Sequence, residues 1–304
     1  MDKSEIILDQ ARILGCDARE NEPMSRHTTF KIGGKADAYI KVATLGMLAA
    51  MLKECQKTGA DYMILGNGSN VLVDDEGIRG VVFRLDGEFR NITLVEEDTV
   101  FCGAGATLAS LCKFALNCGL SGLEFAWGIP GTVGGAVFMN AGAYGGEMKD
   151  VVYSVAYMTP GGVIGRTEKD DLGFGYRTSA FRSSKNIITG VTLKLKKDNP
   201  EKIRERMDDF MQRRSDKQPL ELPSAGSVFK RPKGNYAGAL IEQCGLKGKC
   251  RGGAQVSEKH AGFVINRGGA SAAQIRQLIE EVQRRVAENS GIRLEREVIY
   301  LGEF

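Results

Sequence analysis

FAWGIPGTVGGAVFMNAGAYGG, residues 125–146, is the stretch that decides the fold. It holds 22 residues without a charged side chain, and seven of them are glycine. The length would suit a membrane span, but Pro130 and the glycines make a poor continuous helix. Glycine lets main chain approach a ligand and leaves amide N–H groups open to an anion. The stretch therefore predicts a buried loop, with a short helix at 134–141 whose N-terminus faces that anion; the alternative is a packing loop between two layers.

A second glycine-containing turn, GNGSN at 66–70, lies between two short apolar runs at 62–65 and 71–73 that are predicted strands. It matches neither GxxxxGK[ST] nor GxGxxG. Small polar residues between glycines are typical of a nest of amides for phosphate, whereas an ordinary hairpin turn is the alternative. Taken with residues 125–146, the turn predicts a diphosphate held by main chain from two loops.

Composition limits the remaining possibilities. A chain of 304 residues predicts two or three domains. The 41 basic and 38 acidic residues give a net charge of +3, which does not indicate a nucleic-acid partner. The first residues lack a signal-peptide pattern, and no stretch predicts a membrane helix, so a cytoplasmic protein is expected. Seven cysteines without a CxxC pair and only two histidines predict free thiols and no metal site.

Periodicity and capping signals divide the chain into alternating helices and strands. The predicted helices are 4–14, 44–58, 108–117, 199–214, 236–244 and 271–290. The predicted strands are 38–42, 62–65, 71–73, 81–85, 92–95, 100–102, 151–158, 163–166, 187–195, 262–266 and 294–301. A domain boundary is expected near 199, where a strongly charged helix begins.

Three short polar groupings could carry chemistry: GYRTSAF at 175–181, SAGSVFK at 224–230 and LEREV at 294–298. Arg177 beside aromatic residues suits bidentate binding of a carboxylate or phosphate. Ser227 has no GxSxG elbow and no evident histidine partner, which disfavours a nucleophilic serine. Glu295 and Glu297 would share one face of a strand. Each grouping alone could equally be a loop or surface feature.

Read together and in this order, the five motifs resemble the UDP-N-acetylenolpyruvoylglucosamine reductase family over nearly the whole chain. The resemblance implies an α+β protein with an FAD-binding fold of the vanillyl-alcohol-oxidase (PCMH) type in two subdomains. The first FAD-binding subdomain would be residues 1–80, including the N-terminal helix, and the second would be residues 81–198. A C-terminal α+β domain, 199–304, would bind substrate. The chain resembles the shorter class of the family, which lacks the tyrosine-bearing flap.

The resemblance also assigns site residues. It implies catalytic roles for Arg177, Ser227 and Glu297, and substrate contacts for Lys217, Lys230 and Arg231; relatives often have asparagine at position 231. No metal site is implied. The implied FAD-binding residues are Gly66, Asn67, Gly68, Ser69, Asn70, Gly103, Ala104, Gly128, Ile129, Pro130, Gly131, Thr132, Gly134, Gly135, Asn140, Gly142, Ala143, Tyr144, Gly145 and Ile188.

The implied reaction makes chemical sense of these side chains. NADPH, as co-substrate, would pass hydride to N5 of non-covalently bound FAD, and from there hydride would reach C3 of the enolpyruvyl group of a UDP-sugar. Arg177 and Glu297 would hold the substrate carboxylate as negative charge builds, and Ser227 would protonate C2. The product would be UDP-N-acetylmuramate, a peptidoglycan precursor, made by a monomer. The alternatives are a related FAD-dependent oxidoreductase with another substrate, and a non-catalytic nucleotide-binding module.

Overall fold

The computed structural model of the chain describes residues 3–303, which fold into α-helices and mostly short β-strands. The helices are α1 (Lys3–Ile13), α2 (Leu45–Thr58), α3 (Leu108–Asn117), α4 (Val133–Phe138), α5 (Met148–Val151), α6 (Pro200–Lys217), α7 (Ala237–Gln243) and α8 (Ala272–Ser290). The strands are β1 (Asp17–Pro23), β2 (Lys35–Val42), β3 (Tyr62–Ile64), β4 (Val71–Val73), β5 (Ile78–Leu85), β6 (Ile92–Glu96), β7 (Thr99–Gly103), β8 (Leu120–Ser121), β9 (Gly142–Ala143), β10 (Gly146–Glu147), β11 (Val152–Met158), β12 (Ile164–Glu168), β13 (Ile187–Lys194), β14 (Lys196–Lys197), β15 (Ser224–Ser227), β16 (Cys250–Arg251), β17 (Ala254–Val256), β18 (Phe263–Asn266) and β19 (Ile299–Leu301).

Local signals fix the ends of the main helices. Thr44 caps α2, since its hydroxyl accepts the Met47 N–H at 3.1 Å. Ser271 and Gln274 form a capping box at the start of α8. Gly59 and Gly291 adopt the left-handed conformation just after α2 and α8, where glycine costs least. The predictions for these two helices are confirmed.

The chain divides into two compact units. The first runs up to Glu20 and includes Asp37–Asn67 and Gly80–Arg213. Its largest sheet is antiparallel, with strand order β12-β11-β13-β7-β6. A four-stranded sheet has the order β1-β2-β5-β3, with β3 and β5 parallel. One buried hydrophobic cluster joins helices α1 to α4 to these sheets.

The second unit consists of Asn21–Ala36, Gly68–Arg79 and the chain from Arg214 onward. Its antiparallel sheet has the order β15-β18-β17-β16. A separate parallel pair joins β4 to β19. Helix α8 buries one face in a core of its own, as its 3.6-residue apolar period predicts. The buried residues of that face are Ile275, Leu278, Ile279, Val282 and Val286.

The structure corrects several sequence-based expectations. The GNGSN turn is not a hairpin, because β3 pairs with β5 whereas β4 pairs with β19. The predicted strand at 294–301 is regular only over its last three residues. Its first half forms a single bridge, between Arg296 and Phe229, beside the irregular strand β15. Strand β1 was missed because its sequence, DARENEP, is polar and lacks alternation.

Candidate active site

The predicted amide donors at the start of α4 are already used within the protein. The N–H of Val133 donates to Ala106 O at 2.8 Å, and the N–H of Gly134 donates to Ala104 O at 2.9 Å. The Gly135 N–H donates to the Thr132 hydroxyl at 3.3 Å. These first amides are therefore satisfied by neighbouring main chain and by the Thr132 side chain, so they do not offer the open anion site that was expected.

Close packing explains the glycine at position 134. A Cβ there would lie 2.9 Å from the Cβ of Ala104, which is closer than real Cβ contacts allow. The same segment is tied on through the N–H of Leu108, which donates to Gly131 O at 3.0 Å. Ala104 in turn donates to Thr189 O at 3.0 Å, beside Ile188 on β13. Residues 131–135, 103–104 and 188 are thus brought together.

The first half of the GNGSN turn is fixed to the glycine-rich segment by side chains. Asn67 Nδ2 donates to Pro130 O at 3.0 Å. Arg84 donates to Asn67 Oδ1 at 2.7 Å and also to Gly66 O. Sequence analysis missed Arg84, although a single charge inside the apolar run VVFRL on β5 was a usable signal. A Cβ on Gly66 would lie 2.5 Å from Thr132 Oγ1, so this turn also needs glycine.

The second half of the turn belongs to the second unit and offers amides. Gly68 is left-handed (φ 61°), and its carbonyl accepts the Thr29 N–H at 3.1 Å. A Cβ on Gly68 would lie 2.2 Å from His27 O. Within residues 3–303, the N–H groups of Gly68, Ser69 and Asn70 donate no hydrogen bond. Consecutive amides of this kind around a left-handed residue are typical of an anion nest.

Asn140 is a fully buried clamp. Its Nδ2 donates to Glu147 Oε2 at 2.5 Å and to Gly175 O at 2.9 Å. Its Oδ1 accepts the Lys149 N–H at 3.0 Å. The clamp joins the loop that carries Arg177 to the hairpin β9–β10, which contains Gly142, Ala143 and Gly145.

Arg177 is held in an uncommon conformation. Its backbone is left-handed (φ 57°), which is unfavourable for a residue with a long side chain. Its Nη2 donates to Gly142 O at 3.3 Å, and its guanidinium lies 5.0 Å from the centroid of the Tyr176 ring. The carbonyl of Arg177 accepts from Arg182 Nη1 at 3.0 Å. These contacts fix Arg177 next to the glycine-rich hairpin of the first unit.

Tyr144, at the tip of that hairpin, stacks on Phe210 of α6. Their ring centroids are 4.8 Å apart and the planes differ by 7°. Tyr144 is also left-handed (φ 53°). Among the other predicted cofactor residues, Gly128 is left-handed (φ 82°) and lies in the tight turn that the Ile129 N–H closes by donating to Ala126 O at 3.0 Å.

In the second unit a main-chain hydrogen bond places Glu297 beside Val228, the residue that follows Ser227. Glu297 N–H donates to Val228 O at 2.8 Å, immediately after Ser227. The Ser227 hydroxyl donates to Phe229 O at 3.1 Å. Asn70, at the end of the GNGSN turn, donates from Nδ2 to Glu297 O at 3.4 Å. Two predicted catalytic residues are therefore neighbours, whereas Arg177 belongs to the first unit.

The predicted substrate residues of the second unit are charged and at least partly exposed. Lys230 forms an ion pair with Glu295. The Arg231 guanidinium lies 4.0 Å from the centroid of the exposed Tyr236 ring. Lys217 is exposed at the end of α6. Cationic groups of this kind suit a diphosphate.

Comparison with known proteins agrees with this layout. An FAD binding domain model matches residues 36–168, and the model described as "UDP-N-acetylenolpyruvoylglucosamine reductase, C-terminal domain" matches residues 218–301. The UDP-N-acetylenolpyruvoylglucosamine reductase of Syntrophomonas wolfei is 47% identical over 283 residues, which cover 93% of this chain and 94% of that protein. The chain belongs to the UDP-N-acetylenolpyruvoylglucosamine reductase family. Its members are FAD-dependent oxidoreductases of peptidoglycan precursor synthesis, and this chain is one such enzyme.

Other members and solved structures support the same assignment. The Clostridium botulinum (strain 657) reductase is 49% identical over 285 residues, covering 93% of this chain and 92% of that protein. The crystal structure of the Thermus caldophilus reductase aligns with a TM-score of 0.81 and 39% identity, covering 94% of this chain and 99% of that one. A glucooligosaccharide oxidase from Acremonium strictum aligns with a TM-score of 0.51 at 12% identity, covering 96% of this chain and 60% of that one; this likeness concerns the fold alone. The predicted fold class, α+β with a PCMH-type FAD-binding fold, is confirmed.

Within residues 3–303, the helices are all too short or too polar to cross a membrane. All seven cysteines are free thiols. Burial raises the pKa of Cys55, Cys102 and Cys112 to about 12, so these three thiols stay protonated at neutral pH.

Proposed function

We propose that this enzyme reduces UDP-N-acetylglucosamine enolpyruvate to UDP-N-acetylmuramate with NADPH as the reductant and FAD as a non-covalent cofactor. The observation that carries the proposal is the 2.8 Å hydrogen bond from the Glu297 N–H to the carbonyl of Val228, the residue that follows Ser227. A serine and a glutamate on neighbouring, hydrogen-bonded backbone segments, in a family member that also has Arg177, suit proton delivery to a substrate whose carboxylate is held.

The residues present fit FAD. The nest of amides at Gly68, Ser69 and Asn70 would take the pyrophosphate, since each N–H there has no acceptor in residues 3–303. The glycine-rich segment would line the cofactor by shape, because its own first amides are used internally. FAD supplies hydride transfer from NADPH to C3 of the enolpyruvyl group.

Arg177 has the role of holding the substrate carboxylate. The Asn140 clamp and Gly142 fix its loop before substrate arrives, which is the preorganisation that electrostatic stabilisation needs. A left-handed arginine costs free energy in the resting protein, and such strain is typical of functional positions. Removing one preorganised donor lowers kcat about 100- to 1000-fold.

Ser227 has the role of protonating C2. At rest its hydroxyl proton is directed at Phe229 O. Rotation about the serine Cα–Cβ bond would release that proton toward the substrate. A serine is a weak acid, so it can act only on a strongly basic carbon, which C2 becomes as charge builds. Glu297, whose N–H donates to Val228 O, would bind the substrate carboxylate.

The diphosphate of the UDP-sugar would bind Lys217, Lys230 and Arg231. Lys230 is held by Glu295, and Arg231 is held over the Tyr236 ring. We assign residues 1–80 and 81–198 to FAD binding and 199–304 to substrate binding. A nucleotide-sugar substrate and seven free thiols support a cytoplasmic enzyme, and we propose that it acts as a monomer.

The test separates the two half-reactions of the purified enzyme. NADPH is added without oxygen, flavin bleaching is followed, and the enolpyruvyl nucleotide is then mixed in. We expect Ser227→Ala to slow reoxidation about 100- to 10,000-fold while flavin reduction stays at the wild-type rate. Ser183→Ala is the matched control, because the Ser183 hydroxyl donates to Ala180 O at 3.2 Å in an exposed turn. Wild-type reoxidation by Ser227→Ala would refute the proposed role.

The same material tests the cofactor and the alternative function. After acid precipitation, flavin absorbance should remain in the supernatant; flavin in the pellet would contradict non-covalent binding. A wild-type enzyme whose flavin is reduced but not reoxidised by the enolpyruvyl nucleotide would instead be a related FAD-dependent oxidoreductase with another substrate.

A further inference from the structure

His260 lies in the turn between β17 and β18 of the second unit, and its ring is fixed by main chain. Its Nδ1 accepts the Gly262 N–H at 3.1 Å. The backbone N–H of His260 donates to Ser257 Oγ at 3.3 Å. The imidazole ring packs edge-on against the Phe263 ring, with 4.9 Å between the ring centroids. Because Nδ1 accepts a hydrogen bond, the neutral ring carries its proton on Nε2.

Gly262 connects this ring to the Ser227 turn. The Gly262 carbonyl accepts the Val228 N–H at 2.9 Å. A Cβ on Gly262 would lie 3.0 Å from His260 Cε1 and 3.4 Å from Ser227 Oγ. The ring, the glycine and the hydroxyl are therefore in one packed group, and the Val228 backbone is held through its N–H by the Gly262 carbonyl and through its carbonyl by the Glu297 N–H.

We propose that His260 is a positioning residue for the proton transfer assigned to Ser227, an inference that rests on the proposed function. The imidazole accepts the Gly262 N–H and so fixes this residue, and the Gly262 carbonyl in turn accepts the N–H of Val228, which follows Ser227 and whose carbonyl accepts the Glu297 N–H. His260 need not contact substrate for this role. The sequence alone did not reveal it, because His260 is 33 positions from Ser227.

The arrangement depends on the neutral ring. Protonated Nδ1 is a donor and cannot accept the Gly262 N–H. Burial lowers the pKa of His260 below its ordinary value of 6.5. A backbone hydrogen bond and Glu242 act to raise that pKa and Lys247 acts to lower it, and Lys247 and Glu242 also pair with each other at 2.7 Å. The ring is thus neutral at neutral pH, and the bond to Gly262 is lost as the pH falls through the lowered pKa.

The experiment compares His260→Leu with His260→Asn in the holoenzyme. Leucine removes the acceptor, whereas the short amide of asparagine places an oxygen near the former Nδ1 and does not titrate. Glu258→Gln, an exposed neighbour in the same turn, is the control. Reoxidation by the enolpyruvyl nucleotide is measured by stopped flow from low to neutral pH. Exchange of the Val228 and Gly262 amides is measured without substrate by deuterium labelling.

We expect His260→Leu to slow reoxidation about 10- to 100-fold, as for a small misplacement of a reacting group. Exchange of the two amides should accelerate while reduction by NADPH keeps its wild-type rate. His260→Asn should restore both measurements and abolish the loss of activity at acid pH that wild type shows.

Two results would overturn the inference. The first is wild-type reoxidation and wild-type amide exchange in His260→Leu. The second is a His260→Asn enzyme that still loses activity at acid pH as wild type does. This result decides the matter even if His260→Leu does not fold. The Ser227→Ala variant shows whether the proposed function itself has failed. If the proposed function is wrong, Ser227→Ala reoxidises its flavin at the wild-type rate; if only the role of His260 is wrong, Ser227→Ala is still slow.

Discussion

Asn140→Ala should be among the most damaging single substitutions in the first unit. The wild-type side chain is fully buried and makes three hydrogen bonds, one of them to the carboxylate of Glu147. Two neutral bonds contribute about 1 kcal/mol each, and the bond to a charged group about 1.5–3 kcal/mol. Alanine at a left-handed position (φ 43°) adds about 1 kcal/mol. We therefore expect Asn140→Ala to lower the free energy of unfolding by about 5 kcal/mol, which is a large share of the stability of an ordinary domain.

Asn140→Asp is the matched variant, because it keeps the size, the tolerance of positive φ and the acceptor for Lys149. It replaces the donor with a second carboxyl group beside Glu147, so the new carboxyl at position 140 is driven to retain its proton in the fold. A group whose folded-state pKa is raised is stabilising at low pH and loses that contribution as the pH rises. The deficit of Asn140→Asp should therefore grow from about pH 4 upward, whereas Asn140→Ala introduces no new titrating group at this position.

Urea unfolding of the holoenzyme at fixed FAD concentration measures both effects, with the fluorescence of the single tryptophan, Trp127, as the probe. Since Asn140 also binds Gly175 O, both variants should slow reoxidation of the reduced flavin by loosening the Arg177 loop. The stabilising role of Asn140 would be refuted if Asn140→Ala lowered the free energy of unfolding by less than about 1 kcal/mol. It would also be refuted if the loss of stability in Asn140→Asp did not depend on pH.

Three further substitutions test other parts of the fold. Burial acts to raise the pKa of Glu124, but backbone hydrogen bonds and Arg206 outweigh it and leave that pKa below 4.5. Wild type should therefore be more stable than Glu124→Gln above about pH 4.5, and this difference in stability should vanish as acid protonates the carboxylate. Urea midpoints measured across pH will show it. Gly66→Ala puts a Cβ 2.5 Å from Thr132 Oγ1, so it should lower the free energy of unfolding by about 1–3 kcal/mol. It should also weaken FAD binding in a fluorescence titration. Unchanged FAD affinity would contradict the need for close approach of Gly66 to Thr132. Ser271→Ala removes the cap of α8 and should cost about 1 kcal/mol in urea unfolding without altering FAD affinity.

Sequence reasoning succeeded where the signal is local. Thr44, Ser271 and Gly291 mark helix ends through bonds to residues within four positions, so a single sequence contains the whole signal. The α8 stripe is likewise a local periodicity. Motif resemblance identified the family and the fold, which the comparisons then confirmed.

Sequence reasoning failed where a backbone group has a distant partner. The N–H groups that begin α4 looked available to an anion, but Ala104 and Ala106 take two of them, and nothing in residues 125–146 reveals that. Arg84 was missed for the same reason, since its acceptors lie in a turn 17 and 18 positions earlier. The polar strand β1 shows the other limit, because its mostly exposed side chains leave no alternating pattern.

The parallel pair β4–β19 has a consequence for how the polypeptide emerges from the ribosome. Val71–Val73 pairs with Ile299–Leu301, and each residue is translated 228 positions before its partner. At about 5–20 residues per second, β4 waits on the order of 10–45 seconds for its partner. During that interval an apolar three-residue strand has an unpaired edge, and nascent chains in that state are open to mispairing and are ready clients for a chaperone.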